Sequence, residues 1–207
     1  MKIRIVYYLG WSFFRLITKI FFRIKISGKE NFPKTGGFIL APNHQSFLDP
    51  PVVGSWAPRV VYFMTKAELF ENFLLGWYLY HTNARPVKRG VMDRSAIKLT
   101  LDIIAEGQGM TIFPEGTRSL TGEFLEPKPG IGMIASRAKC PIIPAYVNGF
   151  NNLKGCFLGR DKLTITYGEM IPYEWIEAQK SEKDCYNIIA QRVMREISKI
   201  KANQLKS

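Results

Sequence analysis

Residues 38–50 read Phe-Ile-Leu-Ala-Pro-Asn-His-Gln-Ser-Phe-Leu-Asp-Pro. Phe38 to Ala41 is an uninterrupted apolar run, the pattern of a short buried strand. It delivers the chain to Pro42, Asn43 and His44. The sequence has only two histidines, and this one is followed five residues later by a carboxylate, Asp49. If residues 44–49 turn as a loop or a helix start, Asp49 folds back onto the imidazole. A carboxylate on one ring nitrogen fixes the tautomer, leaves the other nitrogen open to a proton, and stabilises the imidazolium that forms. Such a pair is a general base for a hydroxyl or a water. Taken alone, the spacing is weak and more often marks a satisfied turn without chemistry.

Outward from this stretch the chain alternates between two periods. Val60 to Phe63 reads as a second strand, and Met110 to Phe113 as a third that ends at Pro114. Ile142 to Val147 and Leu163 to Tyr167 are two more, with Pro144 placing the former at an edge or in a wall. Arg94 to Glu106 reads as a helix capped by Asp93 and stopped by Gly107. Residues from about Tyr173 to Ala202 read as a polar, basic helical tail. Strands alternating with helices predict an α/β fold: a single domain with a central mixed β-sheet flanked by helices.

The first 26 residues read as a further helix. At roughly 100° per residue, Arg4, Ser12, Arg15, Lys19 and Arg23 fall within one arc, and apolar and aromatic residues fill most of the rest. A basic stripe on a broad apolar helix is the pattern of an amphipathic helix lying in the membrane interface, and a terminal helix packed on its own core is the alternative. The longest uncharged stretch, Ile5 to Phe14, is ten residues, against the roughly 20 that a spanning helix needs. No small-residue cleavage site marks a signal peptide.

The 207 residues carry a formal net charge of +12. That excess asks for an anionic partner: a nucleic acid, an anionic membrane surface or an acidic substrate. Cationic residues are spread along the chain and no nucleic-acid reader motif is present, which argues against nucleic acid. Cys140, Cys156 and Cys185 have no metal-site spacing, so no metal is expected and they read as ordinary thiols of a reducing compartment.

Two more segments carry chemistry. Phe113-Pro114-Glu115-Gly116-Thr117-Arg118-Ser119 follows a strand, where ligands bind in α/β sheets. Gly116 lets the backbone approach an anion, Arg118 offers a fork that matches phosphate, and Thr117 and Ser119 add hydroxyls. A turn in which Glu115 pairs with Arg118 is the alternative. Pro86-Val87-Lys88-Arg89-Gly90 can clamp a second anionic group or form a solvated basic turn.

Together these blocks resemble the glycerolipid acyltransferase family, in its bacterial 1-acyl-glycerol-3-phosphate branch. The matching blocks are His44–Asp49, Pro86–Arg89, Phe113–Ser119 and Pro141–Pro144, in that order, within roughly residues 30 to 170. The resemblance implies a membrane-associating helix over 1–26 and an acyltransferase domain over 27–207. It implies that His44 takes the proton from the acceptor hydroxyl and that Asp49 orients and charge-stabilises His44. Glu115, Gly116, Thr117 and Arg118 would bind the glycerol phosphate, with Arg89 as a second cation. The acceptor would be lysophosphatidic acid. Acyl-CoA or acyl-carrier protein would be co-substrate, with no bound cofactor, at the cytoplasmic face of the cell membrane as a peripheral protein. The aromatic and aliphatic run of Trp56, Phe63, Phe70, Phe73, Leu74, Leu75, Trp77, Tyr78, Leu79 and Tyr80 would line an acyl-chain groove, with ordinary core and interface packing the alternative for any one of them. Other lysophospholipid or glycerol-phosphate acceptors remain open under this reading.

Three rival readings stand beside it. Ser46 with His44 and Asp49 resembles a hydrolase triad, but Ser46 is badly placed for attack and no G-x-S-x-G elbow exists. A nucleic-acid-binding module and a non-catalytic basic membrane-binding protein are the others.

Overall fold

The computed structural model describes residues 5–88, 93–119 and 121–205. Helix α1 (Ile5–Phe22) leads into strands β1 (Lys25–Ser27) and β2 (Phe38–Pro42). Helix α2 (Asp49–Trp56), strand β3 (Val61–Lys66), helix α3 (Phe73–His81) and strand β4 (Ala84–Val87) follow. Next come helix α4 (Arg94–Ala105), strand β5 (Gly109–Thr111), helix α5 (Gly130–Ala138) and strand β6 (Ile142–Asn148). Helix α6 (Leu153–Phe157), strand β7 (Thr164–Tyr167), helix α7 (Tyr173–Ala178) and helix α8 (Cys185–Leu205) complete the described chain.

The strands form one sheet in the order β1-β7-β6-β2-β5-β3-β4, parallel throughout except for the antiparallel β6–β7 pair. The apolar run at Phe38 lies at its centre, with β6 on one side and β5 on the other, and every residue of β2 is buried. Alternate side chains enter opposite layers. Ile39 and Ala41 join Met110, Ile142 and the apolar stripes of α5 and α8. Phe38 and Leu40 join Val61, Ile143 and Ala145 under α2. Parallel pairing of Leu40 with Thr111 brings the ends of β2 and β5 to one edge, so the loops after Pro42 and Thr111 emerge side by side. That juxtaposition builds the site, although the two loops are some 70 residues apart in sequence.

Four local readings need correction. The first helix stops at Phe22, not near Ser27: Arg23 takes a left-handed backbone with φ of 49° and Lys25–Ser27 joins the sheet beside β7. Pro144 sits within β6, which has neighbours on both sides. It falls in the gap between the Ile142–Ile171 bridge and the Ala145–Tyr167 pair, so its missing N–H interrupts no ladder bond. The strand expected to reach Phe113 ends at Thr111. The tail is two helices. Its longer one, α8, fully buries Ile189, Ala190, Val193 and Ile197. Burying each branched side chain contributes about 1.5–3 kcal/mol, which makes α8 a layer of the core.

Helix α1 is apolar on two faces. Tyr7, Trp11 and Thr18 are buried against the domain, and the Trp56 indole donates to the Thr18 hydroxyl at 3.0 Å. The Arg15 guanidinium donates to the Ser55 carbonyl. On the opposite face Leu9, Phe13, Leu16 and Ile20 are exposed. With 18 residues and a mean hydropathy of 1.3, α1 is long and apolar enough to cross a membrane by those two measures, and 22% of it is buried in the protein.

Candidate active site

The loop after β2 is held by its own polar atoms. The Asn43 side chain pins it to β6, accepting from the Val147 N–H at 2.7 Å and donating to the Val147 carbonyl at 3.1 Å. Asp49, at the start of α2 and fully buried, folds back as the sequence anticipated. Its Oδ2 lies 2.8 Å from His44 Nδ1 and accepts the backbone N–H groups of Gln45 at 2.6 Å and Ser46 at 2.8 Å. A carboxylate only accepts, so Nδ1 carries the hydrogen and Nε2 the lone pair. Phe113 stacks on the imidazole with centroids 3.9 Å apart and planes tilted by 22°. Nδ1 and the ring face are thereby fixed, while Nε2 bonds to no described residue.

The loop after β5 is stitched to the first. The His44 N–H donates to Glu115 Oε1 at 2.9 Å, and the Ser119 N–H donates to the His44 carbonyl at 2.8 Å. Glu115 Oε2 accepts the Leu125 N–H at 2.9 Å. Burial drives the Glu115 carboxyl above its usual range, and the two backbone N–H donors partly offset this. Glu115 was expected to touch the glycerol phosphate. With 1% exposure and both oxygens given to backbone, it acts as a brace beneath the His44 loop. The Glu115–Arg118 pair does not form. Arg118 has no carboxylate partner among the described residues, and its guanidinium lies over the Phe47 ring.

Gly116 is exposed and has φ of 71°, a left-handed conformation that a side chain would strain. Thr117 is exposed beside it. Arg89 lies outside the described residues. Lys88 next to it is exposed and donates its backbone N–H to Asp93 at 3.0 Å. Ser46 is no nucleophile for His44: its hydroxyl oxygen accepts the Leu48 N–H at 3.3 Å, and no hydrogen bond joins it to the imidazole. Among the described residues no group of three or more His, Cys, Asp or Glu side chains is placed to hold a metal ion.

A cavity of about 450 Å³ opens onto His44, Phe47, Phe113 and Gly116. Its walls are apolar: Trp11 and Phe14 from α1, Phe63 and Met64 from β3, Tyr78 and Leu79 from α3. Of the run expected to line a groove, Phe63, Tyr78 and Leu79 do so. Phe73 and Leu74 point outward, 81% and 76% exposed, and Trp56 is spent on α1. The wall from α1 was not foreseen, because a helix wheel shows which faces are apolar and not what they face. Asn43 and Phe113 were also missed; an amide directly after a buried strand and an aromatic beside the second loop were the available signals.

A family model described as Acyltransferase matches residues 23–148. The chain belongs to the acyltransferase family. This acyltransferase is 35% identical over 147 residues to the 1-acyl-sn-glycerol-3-phosphate acyltransferase of Bacillus subtilis, covering 70% of this chain and 72% of that protein. It is 27% identical over 165 residues to the enzyme of the same name from Streptococcus pneumoniae, covering 79% of this chain and 60% of the relative. Among solved structures, the 1-acyl-sn-glycerophosphate acyltransferase PlsC of Thermotoga maritima superposes with a TM-score of 0.73 at 27% identity. That match covers 98% of this acyltransferase and 84% of PlsC.

Proposed function

We propose that the chain moves a fatty acyl group from an acyl thioester to the free hydroxyl of 1-acyl-glycerol-3-phosphate, giving phosphatidic acid. One observation carries the reading: the braced His44 imidazole opens onto an apolar cavity beside a cation, Arg118, that has no carboxylate partner among the described residues. The shared names of the relatives, and the likeness to PlsC over nearly the whole chain, support the same reaction.

His44 Nε2 takes the proton from the acceptor hydroxyl as its oxygen attacks the thioester carbonyl carbon. Asp49 stabilises the imidazolium. The C–S bond breaks, the thiolate leaves, and His44 returns the proton to the sulfur. General-base catalysis of this kind contributes about 10²–10⁴-fold. Arg118 takes the acceptor phosphate, with Gly116 and Thr117 giving close backbone and hydroxyl approach. An acyl chain fills the cavity. Acyl-CoA and acyl-carrier protein both satisfy this chemistry, and no bound cofactor takes part.

Membrane contact belongs to the same reading. The exposed apolar residues of α1 run beside Arg15 and Lys19, a combination suited to an anionic lipid surface. Phe73, Leu74 and Trp77 extend that surface on α3. The protein is then peripheral on the cytoplasmic face of the membrane, with α1 lying flat against its domain.

Purified protein given 1-acyl-glycerol-3-phosphate with either thioester should form phosphatidic acid. His44→Ala should abolish it while the protein remains folded by circular dichroism. Release of free fatty acid without an acylated product would instead mean a thioesterase.

A further inference from the structure

Phe47 and Arg118 come from loops at different strand ends, and the guanidinium lies over the ring. The Arg118 guanidinium carbon lies 3.5 Å from the centre of the Phe47 ring. An aromatic face attracts a planar cation through its quadrupole and leaves the N–H edge of the fork open. Burial does not hold the ring there, because Phe47 is 74% exposed. A large apolar side chain in such a position invites a reason beyond core packing.

The backbone supplies the rest of the argument. Asp49 collects the N–H groups of Gln45 and Ser46, the two residues immediately before Phe47. The Ser119 N–H, immediately after Arg118, donates to the His44 carbonyl. The bonds that fix the imidazole therefore also fix where the ring stands relative to the guanidinium.

We propose that Phe47 is a positioning residue for the acceptor. Its ring holds the Arg118 guanidinium flat, with the fork turned toward the acceptor phosphate, at a fixed offset from His44. The inference rests on Arg118 being the headgroup cation. It adds a role that the spacing of the His44–Asp49 block leaves open, since position 47 carries no chemistry of its own in that block.

Phe47→Tyr, Phe47→Leu and Phe47→Ala, each alone and combined with Arg118→Ala, test it. Acceptor KM, donor KM and kcat are measured in detergent micelles of fixed composition. The Leu and Ala variants should raise acceptor KM roughly three- to ten-fold, the span expected for losing one cation–π contact. The loss should fall on acceptor KM rather than on kcat or donor KM, and Tyr should restore the wild-type value. In the Arg118→Ala background the changes at 47 should have no further effect.

A Leu variant as good as wild type would show that apolar cover suffices and would overturn the stacking role. A raised donor KM would assign the ring to the acyl cavity instead. Losses that add independently of Arg118→Ala would separate the two residues, leaving the headgroup reading intact. If Arg118→Ala itself leaves acceptor KM unchanged, the headgroup reading falls and this inference falls with it.

Discussion

The His44 loop and the outer face of α3 belong to elements that wall the same cavity, yet they are built in opposite ways. In the loop, Asn43, His44 and Asp49 are buried and bonded to backbone or to one another, and the buried Glu115 of the neighbouring loop accepts the His44 N–H. On α3, Phe73, Leu74 and Trp77 are large, apolar and mostly in the open. A buried polar group without a partner costs about 1–3 kcal/mol, so these bonds hold the loop's geometry, while Asp49 Oδ1 and the Gln45 side-chain oxygen are buried with no hydrogen-bond partner among the described residues. An exposed Phe or Leu forgoes the burial that would stabilise it, about 1.5–3 kcal/mol. Rigidity is concentrated where a proton must be taken. On the membrane reading, the apolar excess sits where a second phase is met.

The largest effect should come from breaking the first region at its centre. Asp49→Asn replaces an oxygen that accepts three donors with a group that presents an N–H or a lone carbonyl to them. The imidazole loses its fixed tautomer and the charge that stabilises its protonated form. We expect kcat to fall about 10²–10⁴-fold, as for loss of a general base. A change confined to acceptor KM, with kcat unaltered, would mean that His44 does not need its partner. Asp49→Glu should not rescue, because the longer carboxylate cannot meet His44, Gln45 and Ser46 from one position.

That centre was legible in the sequence. A rare histidine after a buried strand, with a carboxylate five residues on, predicted the Asp49–His44 bond that the structure contains at 2.8 Å. The mixed sheet was legible too, because β2, β3, β5, β6 and β7 each left an apolar run. What stayed hidden was relational. Glu115 has the composition of a ligand residue, and only the register of β2 against β5 shows that its oxygens meet the backbone of His44 and, further along the chain, of Leu125. Likewise β1, three residues long, carries too little pattern to be read, and its place is fixed by pairing with a strand almost 140 residues away.

Glu115→Gln sharpens the comparison at its next level. The amide keeps one acceptor and turns a donor toward either the His44 or the Leu125 N–H. A buried backbone N–H then loses its partner, at a cost of about 1–3 kcal/mol in stability by denaturant titration. Because that bond positions His44, kcat should drop roughly five- to hundred-fold while acceptor KM stays near wild type. A selective rise in acceptor KM would instead return Glu115 to the headgroup site that its sequence context first suggested.

The smallest effect on chemistry should come from the second region. Deleting α1 is a poor probe of the membrane, since Trp11 and Phe14 wall the cavity and Tyr7 is core. Phe73→Glu with Leu74→Glu touches neither, because both side chains face outward. If these residues enter a lipid monolayer, the double variant forfeits their transfer from water and places two anions near an anionic surface. Binding to vesicles containing phosphatidylglycerol, followed by sedimentation, should weaken by at least about ten-fold. Turnover of micellar acceptor should be retained, because the His44 loop is untouched. If vesicle binding survives intact, the outer face of α3 meets something other than lipid. A second copy of the chain would then be the partner to look for, as a concentration-dependent change in mass that the same double variant abolishes.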